Sequence, residues 1–242
     1  QMTGKNFPLT AGIGTILAIL GFMASVFIPK TLSKHSKKRV NPFFFYEIYK
    51  NLVYASKTPY LLAAIFGSAS FLFIGAYFQL NVIPYAIQSM GYTEVAGGYL
   101  FLLTAVGIAI GALLAGKLCR QRAAVGMACL SGMIVSTILL LLGLFYHFPI
   151  FIFAALFGLG LFGGLYIVPF DSFIQRYAPS KRRGQIVAAA NFLSFCGVLI
   201  APILLYLFSE TMELSAANGF LITAVMIFIL VLAIASRLSG FF

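Results

Sequence analysis

Tryptophan is absent from this chain of 242 residues, and charge is scarce: 9% of residues are charged, with 5 acids against 16 Lys and Arg. An ordinary soluble domain carries roughly 25% charged residues. Hydrophobic residues make up 62% of the sequence, and the mean hydropathy is +1.03. A soluble core of this size could not hide so much apolar surface, so lipid must be the solvent for much of it. The 3 cysteines, Cys119, Cys129 and Cys196, are odd in number and widely spaced. That argues against a disulfide framework or a metal site and for small apolar packing residues. The 2 histidines, His35 and His147, fall in predicted loops with no acid within four residues, so the pairing that general acid–base catalysis needs is missing. No cofactor is expected.

The net charge of +11 does not point to nucleic acid. The basic residues sit in a few loops and form no continuous face with interleaved aromatics. Their partner is more simply the anionic lipid of an inner leaflet. With no Trp, the interfacial belt falls to Tyr60, Tyr92, Tyr146, Tyr177 and Tyr206, all near predicted span ends.

What the sequence has is long apolar runs. A bilayer core about 30 Å thick needs about 20 apolar residues of helix. Seven runs qualify, at 9–29, 60–83, 96–117, 124–145, 148–170, 185–208 and 216–237. The fold class read from this pattern is an all-α membrane protein. After the first span comes a basic run with Lys30, Lys34, Lys37, Lys38 and Arg39. Then 43–57, FFFYEIYKNLVYASK, alternates aromatic and charged groups, as suits a helix lying in the membrane surface. Basic loops lie on the cytoplasmic side. If 30–59 is cytoplasmic, alternation puts 117–123, 171–184 and the C-terminus inside as well. Fifteen of the sixteen basic residues then lie inside, with Lys5 the exception.

Spans two to seven split into two groups of three, and the first helix of each group ends alike: Asn81-Val82-Ile83-Pro84-Tyr85 against Tyr166-Ile167-Val168-Pro169-Phe170. The two helices run in opposite directions, the arrangement of an inverted three-plus-three repeat. The domain organisation expected is a transmembrane helix at 1–29 from a preceding half, a cytoplasmic basic loop with an interfacial helix at 30–59, and a six-helix transporter half at 60–242. On this reading the first span is the last helix of an N-terminal six-helix half that the sequence does not include.

The segment from Val168 carries a specific likeness. Val168-Pro169-Phe170-Asp171-Ser172-Phe173-Ile174-Gln175-Arg176, then Ala178-Pro179, Arg183-Gly184-Gln185-Ile186 and Ala189-Ala190-Asn191-Phe192-Leu193 resembles the bacterial lysophospholipid transporter branch of the major facilitators. That branch includes forms fused to an acyltransferase and acyl-carrier-protein ligase. The likeness is best over 165–200 and general over 60–237. It departs at Asp171, where the branch usually has Asn. The loop Gly116-Lys117-Leu118-Cys119-Arg120-Gln121-Arg122 is similar to the superfamily's Gly-and-basic signature but lacks its Asp. The resemblance implies a secondary transporter of the bacterial inner membrane that moves lysophospholipid between leaflets, with no catalysis in this chain. A general drug or metabolite exporter of the same superfamily stays open, as more remotely does a membrane-embedded acyltransferase.

The polar residues beside or inside the spans are the candidate sites. Asp171, with Gln175 one turn on, is either a proton or headgroup-amine site or an interfacial partner for Arg176 or Arg183 that locks an inner gate. Arg176, Lys181, Arg182 and Arg183 are either topology determinants or contacts for a lipid phosphate. Asn191, deep in a span, either lines a cavity or bonds across helices. Gln79 and Asn81 lie two apart, so at most one can face a central cavity and the other must bond a neighbour or reach the interface. Small residues recur at Gly107-x-x-x-Gly111, Ala112-x-x-x-Gly116, Gly158, Gly160, Gly163 and Gly164, where helix backbones can approach closely.

Overall fold

Pro84 and Pro169 both stand inside helices rather than at their ends. A proline deletes one backbone hydrogen bond, but in lipid a helix that stopped there would leave several more groups unsatisfied. The sequence reading ended the second span at 83 and the fifth at 170. In the computed structural model, which describes residues 7–27, 44–119 and 125–238, both helices run on by seven residues. The helices are α1 (Phe7–Val26), α2 (Phe44–Ser56), α3 (Leu61–Met90), α4 (Glu94–Leu118), α5 (Val125–Leu144), α6 (Pro149–Tyr177), α7 (Arg183–Tyr206) and α8 (Ala216–Leu238). No strand occurs among the described residues. Helix α3 ends only at Gly91, whose φ of 67° supplies the left-handed cap and whose N–H bonds back to Ile87 O. After α7 the chain makes a π turn at Leu207–Thr211.

Six of these helices, α3 to α8, are long and apolar enough to cross a membrane; the apolar stretch Ala11–Val26 of α1 is shorter. The chain forms two compact units, 1–42 and 43–242. Of the first, the helix α1 is described. The basic run Lys30–Arg39 lies outside the described residues, as do Lys5, Arg120 and Arg122.

In the second unit the six long helices pack in an exchanged pattern. The second helix of each triplet packs on the first helix of the other, α4 on α6 and α7 on α3, and the third helices, α5 and α8, pack on each other. The two first helices, α3 and α6, meet near the middle of the bundle. This two-fold pattern is the packing signature of an inverted repeat. Glycine makes the α4–α6 seam. A Cβ at Gly107 or Gly111 would overlap backbone at Phe157 or Leu161, and one at Gly160 or Gly164 would overlap backbone at Thr104 or Ile108. The other α6 glycines serve other neighbours: Gly163 faces Phe71 of α3 and Gly158 faces Ile138 of α5.

Helix α2 buries Ala55 and packs on α3 and α7, with Phe45 edge-on to Phe192 at 5.7 Å. It keeps Tyr46, Tyr49 and Val53 exposed, so it is amphipathic, with one face on the bundle.

Candidate functional site: a polar face shared by α3 and α6

Helix α3 starts, and α6 ends, at the same end of the bundle. Along α3, Ser68, Leu72, Gly75 and Gln79 recur at helical spacing on one side. Along α6, Val168, Asp171 and Gln175 do the same. The two sides meet at Ser68, whose Oγ donates to Asp171 Oδ1 at 2.7 Å. Ser68 is buried while Asp171 and Gln175 are exposed on the bundle surface. Asp171 lies about 9 Å from the end of α6 by helical rise. It forms no ion pair among the described residues; its partner is a hydroxyl rather than Arg176 or Arg183. Ser68 is the functional candidate that sequence reasoning missed. The available signal was the pair Ser68 and Ser70 in an otherwise apolar run.

The neighbouring pair is structural. Ser70 Oγ bonds Gly67 O at 2.7 Å and lies 2.6 Å from the Tyr166 hydroxyl. Both residues are buried. Gly67 makes the room: a Cβ there would lie 2.6 Å from the Phe170 ring, next to Asp171. The Ser68–Asp171 contact thus stands on a locked α3–α6 crossing.

The remaining residues scatter around this pair. Gln79 is exposed on the same side of α3 as Ser68, about 16 Å further along. Asn81 points the other way and is 1% exposed. Its Nδ2 donates to Ala216 O at 2.9 Å, and Gln88, two turns on, accepts from Ala216 N at 3.0 Å. The two amides therefore clamp the first residue of α8, and Asn81 is a fastening rather than a lining residue. Asn191 is exposed on α7, about 12 Å from the start of that helix, on a stripe with Ala188, Phe195 and Leu199. Among the described residues it makes no hydrogen bond to a neighbouring helix. Arg176 is exposed in the last turn of α6. Arg182 lays its guanidinium 4.4 Å from the Tyr54 ring centroid, tying the α6–α7 turn to α2. Lys181 and Arg183 are exposed beside it. No acid occupies the first turn of α7, so these cations crowd the positive end of a helix dipole without compensation.

Among the described residues no cluster of His, Cys, Asp or Glu could hold a metal ion. The arrangement is a bundle of apolar helices with an exposed, partly polar face, an acid on that face, and a cationic rim at the end where that acid lies. Comparison with curated proteins and with solved structures finds no match. The family model of the Major Facilitator Superfamily matches residues 6–202, a stretch that runs from α1 through the α3–α6 face into α7. With the apolar helices and their exchanged packing, that match places this chain in the major facilitator superfamily of membrane transporters.

Proposed function

We propose that this secondary transporter moves lysophospholipid between the leaflets of a bacterial inner membrane, along the α3–α6 face and the exposed stripe of α7. The observation that carries the reading is an acid within an apolar helix: Asp171 is exposed and held by Ser68, and no cation pairs with it among the described residues. A carboxylate in that position suits a headgroup amine. The uncompensated Lys181, Arg182 and Arg183 at the start of α7 suit a phosphate. Leu72, Val168, Ala188 and Phe195 around them suit an acyl chain, because an amphiphile's tail needs no polar partner. The resemblance of Val168–Leu193 to the lysophospholipid branch supports the same substrate. A polar face at this depth is costly against lipid, so a second six-helix half is its natural cover. The basic end of the bundle then faces the cytoplasm.

The test is a leaflet-flip assay with the transporter in liposomes carrying fluorescent lysophosphatidylethanolamine, beside Asp171→Asn and Asn191→Ala variants. Loss of flip in both variants is the expected result. Flip that survives in Asn191→Ala removes that residue from the path. No flip by the unsubstituted transporter overturns the substrate and favours a soluble compound.

A further inference from the structure

A second feature lies on another side of the bundle and plays no part in the path above. At the basic end, between the start of α3 and the end of α8, is a chamber of about 590 Å³. Its polar lining is Arg237, Tyr60, Thr58 and Ser56, and its apolar lining includes Leu62 and Ala233. Phe66 and Leu230 line it and also line a second chamber of about 250 Å³ between α3, α7 and α8. That second chamber is walled by apolar groups such as Phe73, Leu193, Ile200 and Met226. The two join into one groove, polar at the rim and apolar below.

The groove has the dimensions of one leaflet. From Arg237 at the rim to Met226 in the lower chamber is eleven residues of helix, about 16 Å by helical rise. Half of a hydrocarbon core about 30 Å thick is close to the same length. Arg237 is exposed and forms no ion pair among the described residues. Among the described residues the Thr58 hydroxyl makes no hydrogen bond, whereas Ser56 Oγ is spent on Val53 O. No acidic side chain lines either chamber.

We infer that this groove is a binding site for one anionic phospholipid of the leaflet at the basic end, bound through its phosphate at Arg237 and Thr58 with an acyl chain between α3, α7 and α8. Charge complementarity selects the occupant. The rim offers a guanidinium and a hydroxyl donor for phosphate oxygens and no carboxylate for a headgroup amine, so a phosphoglycerol headgroup fits and a phosphocholine or phosphoethanolamine leaves its cation unpartnered. Basic pockets between membrane helices bind such headgroups. The site differs from the α3–α6 face in both place and charge, and it stands whether or not lysophospholipid is the transported substrate.

The absence of Trp gives a clean test. Phe66 lines both chambers, so Phe66→Trp puts one fluorophore at their junction. The full chain carrying it is reconstituted in vesicles and titrated with phosphatidylglycerol or phosphatidylcholine brominated in the acyl chains, and quenching is read. Phosphatidylglycerol is expected to bind roughly tenfold more tightly, the scale of one charge-assisted hydrogen bond. Adding Arg237→Gln is expected to bring the two lipids to parity, and Arg237→Lys to keep most of the preference. Equal quenching by both lipids in the Arg237 chain, or a preference that survives Arg237→Gln, overturns the site. Ala233→Phe keeps the charge but fills the rim chamber, and undiminished phosphatidylglycerol quenching in that variant likewise overturns it.

Discussion

At the residue scale, the buried hydroxyl pair beside the site shows how direction matters in a hydrogen bond. Ser70 has one proton, and Gly67 O receives it at 2.7 Å. The 2.6 Å contact with Tyr166 is then donated by the tyrosine. Tyr166→Phe deletes that donor and leaves Ser70 satisfied, whereas Ser70→Ala orphans a buried phenol. The cost of Tyr166→Phe is expected to be about 0.6 kcal/mol, the average for an inter-helix hydrogen bond in a bilayer. Ser70→Ala is expected to cost about 1–2 kcal/mol, because an unmade buried bond is dearer than an absent one. Thermal unfolding in detergent checks the order, and a larger loss for Tyr166→Phe would reverse the donor assignment. The sequence shows that Gln79 and Asn81 point apart, and the structure has Gln79 exposed and Asn81 bonded to Ala216. It could not show the partner of Asp171. Ser68 lies 103 residues away, and a nearby Arg is the better guess until α3 and α6 are known to cross there.

Between elements, the glycine seam separates packing from spacing. Gly107 and Gly111 on α4 both abut backbone of α6, but Gly116, at the same small-residue spacing from Ala112, has open space around it. A pattern of small residues says that a neighbour can approach, not which side the neighbour takes; that is decided by the bundle. Gly111→Ala puts a methyl against the Leu161 carbonyl, and rigid backbone cannot move aside as a flexible side chain would. The expected loss is about 1–3 kcal/mol from overpacking. Gly116→Ala meets nothing and is expected to be neutral or to gain up to about 1 kcal/mol from helix propensity. The pair is read as the change in unfolding midpoint for each variant, and equal effects at both positions would remove the seam as the cause. The same limit explains the span ends. Composition placed seven spans, six of which are helices long and apolar enough to cross a membrane, yet it ended α3 at Pro84, because the rule that proline stops a helix is learned in water. In lipid the unsatisfied backbone outweighs one lost bond, so the helix runs on to a glycine that can cap it.

Across the whole molecule, the short likeness of Asn81–Tyr85 and Tyr166–Phe170 corresponds to a two-fold exchange of packing partners, α4 with α6 and α7 with α3. In both copies the motif's proline stands inside the helix rather than at its end, and the aromatic after it, Tyr85 or Phe170, is fully buried. The consequence is a bundle with unlike sides. The side with Ser68, Gln79, Asp171 and Gln175 offers polar groups at depth, whereas Phe228 and Ile229 of α8 are exposed and apolar. If the polar side lines a hydrated path in the assembled transporter, its depth should be reachable from water. Replacing Cys119, Cys129 and Cys196 gives a background free of thiols. In it, Gln79→Cys and Gln175→Cys are expected to react with a charged, water-soluble thiol reagent in native membranes. Ile229→Cys, about 14 Å from the end of α8 by helical rise, is expected to stay unmodified until detergent is added, since thiolate formation and the charged reagent are both suppressed in hydrocarbon. Equal reaction at Gln79→Cys and Ile229→Cys would mean that exposure on this bundle does not distinguish path from lipid. An unreactive Gln79→Cys beside a reactive Gln175→Cys would confine the hydrated part to the basic end, around Asp171 and the cations at the start of α7.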